Sequence, residues 1–187
     1  MRLCFDEKPQ MQALERTRTG LPATAGRPAS RTHDYVRHGT LSLRAALDLD
    51  TGRIYYACAA RNRHQEFLAF LRQLTRRFPT QQVHLVLDNY SPQHHQVTVW
   101  REAHPRFHFH FIPTYSSWLN RVEAWFSSLQ RQVMDRGSFD DVADLQATLG
   151  RYVRGHNRRA TPPQWKGKAD AILAQLAQIR RTYETVH

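Results

Sequence analysis

The sequence predicts an α/β domain: a mixed five-stranded sheet, three strands antiparallel and then two parallel, flanked by helices. Three observations carry that reading. Two apolar stretches with strand-like alternation meet at Asp50-Thr51-Gly52, the mark of a hairpin. Two short apolar runs, VHLVL at 83–87 and FHFHFI at 107–112, are separated by segments of helical period, as in helix-linked parallel strands. A further apolar run opens the chain at 2–6 (RLCFD) and supplies the fifth strand.

The elements follow in order. Residues 2–6 form the first strand. Residues 9–39 carry Gly20, Pro22, Gly26, Pro28 and Gly39 with little periodicity, which predicts a long excursion holding at most a hairpin. In 40–48, Leu41, Leu43, Ala45 and Leu47 line one buried face, and 53–59 return as the antiparallel partner. Phe67, Leu68, Leu71, Leu74 and Phe78 recur at helical spacing, so a helix spans 62–78 and Pro79 stops it. The buried strand 83–87 ends in Asp88-Asn89, a short helix is expected at 92–102, and the last strand covers 107–112. Ser117 is placed to cap a long helix over 118–134, with Trp118, Val122, Trp125, Phe126, Leu129 and Val133 as its core stripe. A helix at 142–156 follows, Pro162-Pro163 breaks the chain, and 169–181 forms a final exposed helix. Residues 1–160 thus read as one domain with 9–39 inserted, and 161–187 as a C-terminal tail helix. This wiring is that of an RNase H-like sheet.

Composition narrows the partners. Lys and Arg number 27 against 16 acids, a net charge of +11 and a pI near 10.5, which favours polyanions. The excess is mostly Arg, whose planar fork suits phosphate oxygens. The two cysteines, Cys4 and Cys58, lack a CxxC partner and read as small buried hydrophobes. No signal-peptide pattern opens the chain and no run approaches a membrane span, so a cytoplasmic location is expected.

Three acids stand at informative places: Asp6 at the end of the first strand, Asp88 at the end of the fourth, and Glu123 in the second turn of the predicted long helix. Asp88 and Glu123 are separated by 34 residues. In such a sheet the first and fourth strands are neighbours, so Asp6 and Asp88 emerge side by side. Converging carboxylates repel unless cations sit between them. Mg²⁺ takes oxygen ligands while keeping waters and substrate phosphates in its shell, and two such ions suit in-line phosphoryl displacement. Singly, each acid has a plainer reading: Asp6 or Asp88 as a turn or cap residue, Glu123 as a solvated flank of the core stripe.

The blocks Phe5-Asp6-Glu7-Lys8-Pro9, Asp88-Asn89-Tyr90 with His94-His95, and 113–123 (PTYSSWLNRVE) resemble the mariner superfamily of DDE transposases, closest in its bacterial insertion-sequence branch. Arg37-His38-Gly39-Thr40 and Arg63-His64-Gln65-Glu66-Phe67 are similar to that branch too, and the resemblance runs from Asp6 to about residue 170. It implies Asp6, Asp88 and Glu123 as the metal-binding catalytic triad, with two Mg²⁺ ions for which Mn²⁺ substitutes. It implies supporting roles for Asn89, His94 and Asn120, the last orienting metal-bound water or a phosphate. Lys8, Arg37, His38, Arg63, Arg121 and Arg158 are the expected DNA contacts. Double-stranded DNA, as element ends and target, is the implied partner of a homodimer in which 9–39 reaches the second subunit. The implied reaction is hydrolysis at the element ends followed by transfer of the freed 3′-OH into target DNA.

Such relatives carry helix-turn-helix domains ahead of the first catalytic strand, and this sequence, with Met1 beside that strand, is expected to lack them. Pro9 also departs from the family, where a small hydroxyl residue is usual. Two rival readings accompany the enzyme: a catalytically silent fragment acting as a DNA-binding or dimerising regulator, and a structure-specific nuclease of the same fold. His108 and His110 share a strand face, but no Cys or acid spacing supports a zinc site there.

Overall fold

The computed structural model describes residues 1–16, 35–88, 95–112 and 120–164. Five strands, β1 (Arg2–Arg16), β2 (Tyr35–Asp48), β3 (Ile54–Ala59), β4 (Val83–Leu87) and β5 (Phe107–Phe111), form one sheet in the order β3-β2-β1-β4-β5. β1 to β3 pair antiparallel, and β4 and β5 continue parallel to β1. This is the expected mixed sheet.

Helices α1 (His64–Arg77) and α2 (His95–Glu102) cover one face. Leu3, Phe5, Leu85 and Leu87 of the sheet pack there against Phe67, Phe70, Leu71, Val97 and Trp100. Helices α3 (Val122–Leu129) and α4 (Val142–Arg158) cover the other. Cys4, Leu43, Ala45 and Leu47 meet Val122, Trp125, Leu129, Leu145 and Leu149 on that side. Each such aliphatic or aromatic side chain contributes roughly 1.5–3 kcal/mol by leaving water. With both faces covered, every residue of β2 from Leu41 to Asp48 is buried, not alternate ones alone.

The main correction concerns 9–39. β1 does not stop at Asp6 but runs to Arg16, and β2 starts at Tyr35 rather than residue 40. Pro9 and Gln10 are accommodated as a bulge, where two residues of β1 oppose Ser42 and Gln10 takes φ 52°. A bulge is where a strand tolerates a residue without an N–H. His38 and Gly39 form a second bulge opposite Ala13, with Gly39 at φ 131°. The extension is held because Met11 and Ala13 enter the core beside Phe139. Residues 17–34, the remainder of the predicted excursion, lie outside the described residues, as does the predicted tail helix 169–181.

The long helix is also corrected. α3 begins at Val122, with Arg121 at its N-cap, and ends in a π-helical turn over Gln130–Met134. Glu123 therefore sits in the first turn, not the second. Ser117 and Trp118, the predicted cap and first stripe residue, lie outside the described residues. α4 starts where expected because the Asp141 carboxylate accepts the Asp144 N–H at 2.6 Å, an N-cap bond.

Candidate active site

The parallel register of β1 and β4 sets the first two acids. Cys4 lies opposite Val86, so two residues further on Asp6 and Asp88 come side by side where β4 ends. Asp6 is half-buried and Asp88 exposed. The carboxyl end of a parallel strand, here β4, is where α/β sheets gather ligand groups, and Asp6 reaches it from within β1.

Glu123 arrives from the other layer, and Asn120 brings it. The Asn120 side chain is only 2% exposed, and its Nδ2 donates to the Phe5 carbonyl at 2.7 Å, one residue before Asp6. Its own carbonyl accepts the Glu123 N–H at 3.0 Å. One buried amide thus ties the first turn of α3 to the strand that carries Asp6. Nδ2 is committed to that tie, which leaves only Oδ1, buried and without a hydrogen-bond partner, for the water-orienting role expected of Asn120.

The electrostatics register the convergence. Burial pushes the Asp6 carboxyl up to about 6, a rise opposed by the 2.7 Å bond from the Glu7 N–H and reinforced by the charges of Glu123, Glu7 and Asp88. A half-buried carboxyl among three other acids holds its proton unless a cation offsets the crowding. Among the described residues, no three His, Cys, Asp or Glu side chains close on one point tightly enough to cage an ion. The three acids form an open set of hard oxygen donors. That suits a cation of the Mg²⁺ kind, which binds through one or two carboxylates and leaves its other places to water and phosphate oxygens.

A second set of residues, not anticipated from sequence, braces the strand beyond Asp6. Glu7 Oε1 accepts Asn62 Nδ2 at 3.0 Å, and Asn62 Oδ1 in turn accepts the Arg44 guanidinium. Arg44 is 1% exposed and also donates to the Arg63 carbonyl at 3.2 Å. An Arg alternating with Leu along β2 reads as solvent-facing. The signal available was its register opposite Glu7, visible only once the strands are paired.

The expected DNA contacts scatter. Arg63 closes the start of α1 instead, its guanidinium 2.7 Å from Glu66, whose carboxylate also accepts the Arg63 N–H. His38 pairs with Glu15 at 2.7 Å. Arg121 donates to the Gln164 carbonyl at 2.8 Å. Lys8 is half-buried on β1, while Arg37 and Arg158 keep exposed side chains. Asn89 and His94 lie outside the described residues. Trp125 and Phe126 are core residues and do not offer faces for base stacking.

Comparisons with known proteins bear on the family and the fold. The family described as DDE superfamily endonuclease matches residues 2–146. Among solved structures, the Mos1 transposase paired-end complex with left transposon end is similar at TM-score 0.61 and 20% identity, over 82% of this chain and 47% of that one. The catalytic domain of Mos1 mariner transposase is similar at TM-score 0.56 and 16% identity, over 82% and 69%. A chain of a simian T-cell lymphotropic virus intasome, in complex with PP2A regulatory subunit B56 gamma, reaches TM-score 0.52 at 9% identity, over 79% and 46%. At such identities the likeness is one of fold, and that fold is RNase H-like. The chain spans about half the length of the transposase chains in the paired-end complexes. No curated protein matches it by sequence.

Proposed function

The chain belongs to the DDE superfamily endonuclease family, which matches it from β1 into α4, and on that premise we propose that it is the catalytic domain of a transposase of the mariner superfamily, in the bacterial insertion-sequence branch. Its reaction is metal-dependent hydrolysis of DNA phosphodiesters at element ends, then attack of the freed 3′-OH on target DNA. The observation that carries this reading is the meeting of Asp6, within β1, and Asp88, just past the end of β4, with Asp6 in the field of Glu123.

In this reading Asp6, Asp88 and Glu123 hold two divalent cations, Mg²⁺ with Mn²⁺ as a substitute. Such a pair, when bound, activates the attacking oxygen and stabilises the leaving one. The chain's own contribution is placement. Sheet register fixes Asp6 against Asp88, and Asn120 fixes the turn that bears Glu123. The Glu7–Asn62–Arg44 chain steadies the backbone beyond Asp6. The half-burial of Asp6 keeps bulk water from competing for its oxygens.

The proposal extends to double-stranded DNA as partner, to a homodimer that holds paired ends, and to a nucleoid-associated location. Residues 1–160 form the catalytic unit and 161–187 an appended tail. Lys8, Arg37, Arg121 and Arg158 remain candidate backbone contacts; Arg63 and His38 would first have to exchange their carboxylate partners for phosphate.

The test is Mn²⁺-dependent cleavage of a labelled duplex by the purified chain beside Asp88→Asn. Cutting by the wild type that falls at least about a hundredfold in the variant upholds the reading, since removing a group that stabilises transition-state charge costs on that order. Equal cutting by both, or none by the folded wild type, sinks it.

A further inference from the structure

Beyond the acids, the structure holds a basic cleft at the free edge of the sheet. It is an open cavity of about 450 Å³ lined by Arg53, Tyr55, Tyr56, Gln73, Arg76 and Arg77, with Leu74 and Asn157 completing its wall. Arg53 precedes β3, Arg76 and Arg77 close α1, and Asn157 comes from the last turn of α4. Tyr56 stands in register with Ala45, and Ala45 with Asp6. Tyr56 therefore lies two strands over from the first acid, roughly 10 Å across the sheet, while Arg53, paired with Asp48 and so level with Leu3, stands three residues further along it.

Its charge is one-sided. No carboxylate lines it, and no ion pair reaches Arg53, Arg76 or Arg77 among the described residues. The acid whose field reaches Tyr55 is Asp48. That acid is fully buried and already accepts the Asp50 N–H and the Thr51 hydroxyl. Arg76 and Arg77 complement the C-terminal dipole of α1, but that accounts neither for Arg53 nor for the cavity.

At the cleft, side chains already cover part of the β3 edge. Asn157 Oδ1 accepts the Ile54 N–H at 2.8 Å, its Nδ2 donates to the Ile54 carbonyl at 2.9 Å, and Gln73 Nε2 donates to the Tyr56 carbonyl at 3.2 Å. The Ile54 backbone and the Tyr56 carbonyl are thus occupied, and side chains are what the cleft presents there. Three guanidiniums with two tyrosine rings fit a ligand of spaced phosphates and planar groups.

We infer that the Arg53–Arg76–Arg77 cleft grips the phosphate backbone of DNA, as a binding surface separate from the acids. The inference rests on the DNA-cutting reading above and adds to it a sequence-independent hold away from the acids. It acts on affinity and leaves the chemical step alone.

The experiment compares the wild type, the triple variant Arg53→Gln/Arg76→Gln/Arg77→Gln, and a charge-matched control, Arg101→Gln/Arg131→Gln/Arg136→Gln. Binding of a labelled duplex of arbitrary sequence is followed by anisotropy across a salt series, and Mn²⁺-dependent cutting is measured in parallel. Losing three phosphate contacts lowers the slope of log affinity against log salt by about 2 to 3 and weakens binding at least about tenfold. KM for cutting rises while kcat stays. The control is expected to shift affinity by far less. Arg53→Gln and Arg76→Gln singly, both exposed, carry the same test in smaller steps should the triple variant melt early. A triple variant that matches the control overturns the cleft and leaves the enzyme standing. A folded wild type that neither binds nor cuts DNA overturns both.

Discussion

Asp6 concentrates the chemistry of the site in one carboxyl. Its folded value of about 6 lies above the ordinary 3.8, so the native state holds that proton more tightly than the unfolded chain does. Without metal, its contribution to stability is complete below about pH 4 and declines as pH rises through 6, by at most about 3 kcal/mol. On the proposed reading, a divalent cation would take the carboxylate form and reverse the penalty. Mn²⁺ is therefore expected to raise the melting temperature by several degrees at pH 8 and by little at pH 5, as read by differential scanning fluorimetry. Asp6→Asn should melt higher than the wild type in EDTA at pH 8 and lose the response to Mn²⁺. A Mn²⁺ shift of equal size at both pH values would contradict this account of Asp6. Asn120 makes a second case at the same scale. Asn120→Ala removes a buried donor from the Phe5 carbonyl, costing about 1–3 kcal/mol. It should also lower kcat for cutting at least about tenfold, because Glu123 loses its tether. Glu123→Gln, by contrast, should abolish cutting while keeping the wild-type melting temperature, which separates the tether from the ligand.

At the level of elements, the turn between β2 and β3 is the most tightly specified connection. Gly52 takes φ +75°, and a Cβ there would lie 1.9 Å from the Thr161 carbonyl oxygen. Neither can relax cheaply, since both are backbone. Gly52→Ala is expected to cost more than about 2 kcal/mol, read as a drop of about 4–8 °C in melting temperature; an unchanged melt would show that the chain after α4 gives way. The elements also show where sequence is a sufficient guide. The apolar runs at 83–87 and the spacing of Phe67, Leu71 and Leu74 announce β4 and α1 because burial alone decides them. The extension of β1 past Pro9 was hidden, because Pro and Gly are ordinary signs of a chain break. What overrides them is pairing with a strand some thirty residues later, through two bulges. Arg44 was hidden for a related reason: its burial depends on a helix covering the second face of the sheet. Asp6, Asp88 and Glu123 stood out as a set because expected strand ends and spacing marked them, although β1 in fact runs past Asp6. The bracing by Asn62, and the amide tie from Asn120 to Phe5, exist only in the paired and packed chain.

For the molecule as a whole, the surplus of 11 positive charges gains meaning from how it is distributed. Two expected contacts are already spent on the protein's own acids, Arg63 on Glu66 and His38 on Glu15. Exposed guanidiniums such as Arg37 and Arg158, and those of the edge cleft, carry the attraction for a polyanion. Duplex binding is accordingly expected to fall steeply between about 50 and 200 mM salt, by a factor of 10³ or more if six phosphates are engaged. A titration that shows little salt dependence would mean the net charge serves something other than DNA.

The tie between Asn120 and Phe5 bears on how such a chain changes over generations. The mutual placement of the three acids depends on one parallel strand pairing and one amide hydrogen bond, not on the length of chain that joins them. Connections between these elements are therefore free to gain or lose residues while the spacing of the carboxylates stays constant. Lineages with very different insertions can keep one reaction, provided an amide at this position and the register of two strands are inherited together. Divergence is cheap in the joints and costly at two points of contact.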